Sequence, residues 1–242
     1  MENIKYVHKT DVHNLNSPKE IVPELVKLFN PKSVVDFGCG LGTFLYCFKD
    51  AGVHDVLGLD GKWVNKELLS KYLDDTEFKE CNLEENIILD KKFDLVISVE
   101  VAEHLSEKSA DLFVENLVNA GNIIVFGASI PFQEGQNHVN EQWSDYWEQK
   151  FNKHGYRMLD ILKPLFWDNP NIFWWYKQNM VVFVSENSNF DTSLSKNTLK
   201  KIVHYEWYLD KAKRLDLIMT GNADTKFYFK NFIKSFFKKN KK

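Results

Sequence analysis

No stretch of this chain is apolar enough to cross a bilayer; none approaches the roughly 18 consecutive apolar residues that a helical span needs. The opening Met1-Glu2-Asn3-Ile4-Lys5 has no apolar core of the kind a secretory signal carries. Cysteine is scarce. Cys39, Cys47 and Cys81 are odd in number and not at metal-ligand spacing, which excludes a disulfide framework and a cysteine-based zinc site. Net charge is small at −3, so nothing global marks a nucleic-acid binder. Internal repeats and low-complexity tracts are absent as well. These absences lead us to expect a cytoplasmic protein with reduced thiols, its 242 residues forming one domain with appendages.

What is present is concentrated in one stretch, Ser33-Val34-Val35-Asp36-Phe37-Gly38-Cys39-Gly40-Leu41-Gly42-Thr43. A β-branched run ends in a carboxylate, three glycines follow at alternate positions, and an amphipathic segment begins at Phe44. That pattern predicts strand, tight loop and helix start, the first half of a nucleotide-binding βαβ unit. A dinucleotide site wants G-x-G-x-x-G, and here Thr43 stands where its last glycine would fall. Asp36 beside the loop is awkward for a pyrophosphate but suits a cation. The stretch Val34–Gly42 resembles the first motif of class I S-adenosylmethionine-dependent methyltransferases. The resemblance implies a Rossmann-like α/β fold: a seven-stranded, mostly parallel sheet with an antiparallel terminal hairpin. An NAD-dependent oxidoreductase on the same framework is the alternative, weakened by Thr43.

Along the chain, Ser17-Pro18-Lys19-Glu20 reads as a capping box for a leading helix that Asn30-Pro31 stops. His8 and His13 precede it, either lining the active site or simply solvated. Strands are predicted at Asp55–Asp60, Glu77–Leu83, Phe93–Val99, Asn122–Ser129, Tyr156–Leu162 and Met180–Val184. The resemblance implies that Asp36, Gly38, Cys39 and Gly40 hold the methyl donor. It also implies that Asp60 with Gly61 takes the ribose hydroxyls, and that Asn82, Leu83, Val99 and Glu100 complete the cofactor side. Family members often have an acid where Asn82 stands, but its carbonyl oxygen can accept the same adenine hydrogen bond.

Glu100, Glu103 and His104 stand at i, i+3 and i+4, one face of a helix if the chain turns helical there. In one reading Glu100 contacts the cofactor side and His104, with Glu103, is the catalytic group that takes the acceptor's proton. In the other, Glu-x-x-Glu-His is similar to the motif of ubiquinone-pathway and small-RNA 2′-O-methyltransferases. That likeness implies a divalent ion, Mg²⁺ or Mn²⁺, held by Glu100, Glu103, His104 and His138. Aromatics between the last two strands (Phe166, Trp167, Phe173, Trp174, Trp175, Tyr176) offer faces for a sugar ring or a planar acceptor. With His138–Trp143 and Trp175–Asn179, the chain resembles bacterial methyltransferases of capsule and surface-polysaccharide biosynthesis. The implied acceptor is a sugar hydroxyl or another precursor, with quinone-type or phosphorylated small molecules as the alternative and no nucleic acid.

The reading divides the chain into a leading segment, 1–30, a methyltransferase domain, 31–186, and a helical basic and aromatic appendage, 187–242. Residues 226–242 hold seven lysines and no acid, interleaved with phenylalanines. They fit self-association or peripheral contact with a membrane.

Overall fold

The computed structural model describes residues 6–191, 193 and 201–237, and side chains as far as 235. Its contacts cluster into two units, Met1–Ile202 and Val203–Lys242. In the first unit β1 (Ser33–Phe37) lies in the interior of a seven-stranded sheet, every residue of it buried. It pairs in parallel with β2 (Asp55–Asp60) on one side and β4 (Leu95–Val99) on the other. Outside β2 runs β3 (Phe78–Glu80), and outside β4 runs β5 (Ile123–Gly127), both parallel. β7 (Val181–Ser185) is inserted antiparallel between β5 and β6 (Tyr156–Leu159), giving the order β3-β2-β1-β4-β5-β7-β6. This is the class I methyltransferase sheet. The terminal hairpin is present, and β3, β5 and β6 are shorter than the apolar patterns predicted.

Alternation on β1 divides the core between the two sheet faces. Val34 packs with Ile21, Leu25, Leu45 and Phe48 from α1 (Asn16–Phe29) and α2 (Thr43–Asp50). Val35 and Phe37 face Phe113, Val114 and Leu117 of α3 (Ala110–Ala120). Further along that face, Phe151 of α4 (Ser144–Asn152) stacks on Phe183 at 3.8 Å. Because the chain steps outward from β1 through β2 and β3 and then returns to β4 on the other side of β1, the strand order reverses there and a crevice opens at the carboxyl ends of β1 and β4. Ligands of open α/β sheets bind in such a crevice.

The predicted capping box does not form. α1 begins at Asn16, one residue before the expected cap, with no side-chain cap bond. Ser17 is instead buried and its Oγ accepts from the Phe173 N–H at 3.0 Å, while Glu20 accepts from the Asn169 amide at 2.9 Å. Both side chains found partners in a distant loop, and the helix tolerates Pro23 in its interior. No helix among the described residues is long and apolar enough to cross a membrane.

The second unit holds α5 (Tyr205–Met219) and α6 (Thr225–Phe237). The Tyr228 hydroxyl ties them, donating to the Ile218 and Leu217 carbonyls at 2.8 and 3.1 Å. Leu199, counted in the predicted helix, and Lys238–Lys242 of the basic segment lie outside the described residues.

Candidate active site

The crevice is a cavity of about 610 Å³ lined by the glycine loop, the carboxyl ends of β1, β2 and β4, and the segments around residues 6–13, 133–139 and 174–176. Its floor is the loop after β1. Gly38, Gly40 and Gly42 all have positive φ (87°, 55° and 81°), conformations an L side chain rarely adopts. A Cβ on Gly38 would lie 2.3 Å from Val101 Cγ2, and one on Gly40 would lie 3.1 Å from the His8 ring. Gly38→Ala therefore meets both strain and a stiff β-branched neighbour. We expect a loss of about 1–3 kcal/mol, read as a lower Tm, together with loss of methyl-donor affinity.

Asp60, at the end of β2, is buried and its carboxylate accepts from Gly40 N (2.8 Å) and Gly61 N (2.6 Å). It thus braces the loop from which the ligand would be gripped. Burial pushes its pKa up to about 6, and the loop N–H groups and Trp63 hold it from rising further. Asp36 is also buried, and desolvation, then the neighbouring Asp60, pushes it up to about 8. All the cofactor positions read from the sequence line the cavity except Gly61, whose space is taken by the Trp63 ring. Asn82 is held in a local turn, donating to Glu85 at 2.8 Å and accepting from Glu84 N at 3.1 Å.

The Glu100–His104 segment is not the helix that its spacing suggested. Glu100 adopts φ +59°, and a single 3₁₀ turn, Ala102–His104, follows. Glu100 turns toward β7: its Oε1 accepts from the Asn179 amide at 2.8 Å and its Oε2 from Gln133 at 3.2 Å. Glu103, His104 and His138 instead converge, each offering one atom to a set within 4.8 Å of one another. Glu100 stands outside that set. Glu103 is fully buried; Ser129 Oγ donates to its Oε1 at 2.9 Å, while Oε2 has no hydrogen-bond partner. His104 Nδ1 is likewise buried without a partner. His138 Nδ1 faces Glu141 Oε1 at 2.9 Å, an arrangement that fixes its tautomer and leaves Nε2 as an acceptor. Two orphaned buried atoms beside an oriented imidazole are what a divalent cation, or a proton donor, would satisfy.

Burial sets the electrostatics. It pushes Glu100 up to about 7 against its amide and hydroxyl donors, and it pushes Glu103 well above the ordinary range, with Glu100 adding to the rise. His104 is pushed down to about 4 by burial and by His138. A third wall was only half legible. His8 and His13 do line the cavity, and Tyr6 packs against both His8 and His104: its ring centroid is 4.9 Å from that of His104 and 5.0 Å from that of His8. Burial, then His13, pushes His8 down to about 4. Lys9 is the sole Lys or Arg among the described lining residues, against Asp36, Asp60, Glu84, Glu100, Glu103 and Glu134. The lining is acidic in composition.

Residues 9–118 match the family model described as Methyltransferase domain. Among solved structures, Streptomyces venezuelae DesVI is similar at 15% identity over 74% of this chain and 99% of that one, with a TM-score of 0.53. The methyltransferase domain of bacterial CtHen1-CN is similar at 20% identity over 71% of this chain and 100% of that one, TM-score 0.50. The plantazolicin methyltransferase BpumL, solved with a pentazolic desmethylPZN analog and SAH, gives 15%, 70%, 83% and 0.50 in the same terms. No curated protein matches the chain in sequence. The fold is that of class I methyltransferases. Residues 9–118, from before α1 to within α3, are thus similar to a methyltransferase domain.

Proposed function

We propose that the protein is an O-methyltransferase acting on a sugar hydroxyl or similar precursor of a bacterial surface polysaccharide, with assistance from a divalent ion. The observation that carries this reading is the convergence of Glu103, His104 and His138 in the same cavity as Asp36, Gly40 and Asp60. A group that activates an oxygen thus stands beside a group that suits a sulfonium ligand.

S-adenosylmethionine supplies a methyl group already activated on a sulfonium, so alignment of an acceptor oxygen with it does most of the catalytic work. Asp36 offers its carboxylate to the donor's cationic portion. Asp60 stands at the strand end from which an acid accepts ribose hydroxyls. Val99, Leu83 and Cys39 supply apolar lining. Glu103, His104 and His138 would hold Mg²⁺ or Mn²⁺, which when bound would lower the pKa of the acceptor hydroxyl. Without an ion, His104, kept neutral by burial, would instead take the hydroxyl proton itself. Trp174, Trp175 and Tyr176 line the wall beyond, and Phe173 stacks on Trp175 at 4.3 Å, presenting an apolar face of the kind a sugar ring packs on.

Calorimetric titration tests the cofactor reading, with heat expected from S-adenosylmethionine and none from NAD. Methyl transfer to a panel of nucleotide-linked and lipid-linked sugars, with and without chelator, tests the acceptor. Trp175→Ala should raise KM for the acceptor about tenfold while leaving donor affinity intact, since one stacked ring is worth about 0.5–1.5 kcal/mol beyond its area. A donor heat with no transfer to any sugar would leave the class standing and sink the acceptor.

A further inference from the structure

The two units differ sharply in charge. Residues 203–242 carry ten Lys and Arg against four Asp and Glu, a balance of +6, whereas residues 1–202 carry 21 against 30, or −9. Within the second unit, no described residue of α5 or α6 is buried. Leu215, Met219, Phe229 and Ile233 are 56%, 78%, 64% and 40% exposed. A helical hairpin with this much uncovered apolar surface calls for something to cover it.

The arrangement on α6 says what. Lys226, Lys230 and Lys234 recur every fourth residue and form one exposed row. Phe229 and Ile233 fall at the same spacing along the edge of that row. α6 has no acidic residue, and the sequence adds Lys238, Lys239, Lys241 and Lys242 beyond it. A protein partner with an acidic face would complement the lysines but not the adjoining phenylalanines. An anionic bilayer surface complements both, headgroups meeting the lysines and acyl boundary the aromatic edge. Lysine stems along such an edge keep their ammonium groups in the headgroup layer while their methylenes stay apolar.

We propose that α6 is a peripheral anchor that lies in the plane of an anionic membrane surface through Phe229 and Ile233 flanked by Lys226, Lys230 and Lys234. It binds lipid and does not cross it. Its contact is electrostatic in range and hydrophobic in depth, so salt weakens it and removal of either component releases the protein.

The test is co-sedimentation of the full chain with phosphatidylcholine vesicles, with and without phosphatidylglycerol. Binding is expected only with the anionic lipid and should fall as salt rises. K226E/K230E/K234E should lower the bound fraction at least about tenfold, since each lysine near such a surface contributes about a fivefold factor. F229S/I233S should lower it severalfold with unchanged circular dichroism. Should either variant misfold, the dependence of the intact chain on anionic lipid still decides. Equal binding to both vesicles, or none to either, overturns the proposal. It is also overturned by a dimer in light scattering that F229S/I233S dissolves while lipid binding is absent, and by duplex DNA that binds the chain more tightly than the vesicles do.

Discussion

Glu103→Gln should reduce kcat by about 10²–10⁴-fold while leaving S-adenosylmethionine affinity within a few-fold of the parent, because its carboxylate converges with His104 and His138 and not with the glycine loop. The substitution is chosen to spare the fold. Glutamine keeps the volume, and its carbonyl can still accept from Ser129 Oγ, which reaches Oε1 at 2.9 Å. Stability should hold or rise. Glu103 is fully buried beside Glu100, so the protein carries a desolvated carboxylate whose pKa is forced well above normal. Removing an uncompensated buried acid relieves that cost. A drop in activity with an equal or higher Tm is the signature of a residue kept for chemistry. His104→Ala should behave alike in kcat, and His138→Ala should add little once Glu103 is changed, because the three act as one set. Chelator sensitivity then separates the two mechanisms. If chelator abolishes transfer and Mn²⁺ restores it in the parent but not in Glu103→Gln, the ion mechanism stands. If chelator does nothing, His104 acts as a metal-free base. Near-normal turnover in Glu103→Gln would sink both.

The parts of this molecule that the sequence made legible are those fixed by local rules. Alternating glycines after Val34-Val35-Asp36 can do little except make a tight loop, and β2 ends at Asp60 as its apolar run suggested. The motif around Glu100 was legible as chemistry but not as geometry. Helical spacing placed Glu100, Glu103 and His104 on one face, whereas the chain reverses at Glu100 with φ +59° and makes only a 3₁₀ turn. Periodicity cannot see that a side chain will be captured from another element, and Glu100 is captured by Asn179, 79 residues away. The same blindness affected Ser17 and Glu20, which looked like a cap and became tethers for the 169–173 loop. Glu141 carried a faint signal, three residues after His138, but its role in orienting that imidazole needs the loop's shape. Tyr6 carried none. Its place against His104 depends on the path of a polar segment with no periodicity to read.

Asp36 supports the last prediction, in which stability and function pull in opposite directions. Its carboxyl is buried at the end of β1, and desolvation, then Asp60, lifts its pKa to about 8 from an ordinary value of 3.8. Between those two values the native protein keeps a proton that the unfolded chain has released. Stability contributed by this group is therefore present below the unfolded pKa and is lost as pH rises through that window. Asp36→Asn removes the dependence. We expect its Tm to match the parent near pH 4 and to exceed it by several degrees near pH 8. A shift of this size corresponds at most to about 6 kcal/mol, and relaxation around a buried group will realise only part of it. Affinity for S-adenosylmethionine should move the other way, falling at least about tenfold, since a neutral amide cannot offer a cationic ligand the counter-charge that a carboxylate can. The parent should also release protons on binding the donor near pH 7, measurable as a buffer-dependent heat, and the variant should release fewer. An Asp36→Asn protein that is less stable at pH 8, or that binds the donor as tightly as the parent, would show that this carboxylate is a structural group and that the glycine loop grips its ligand without it.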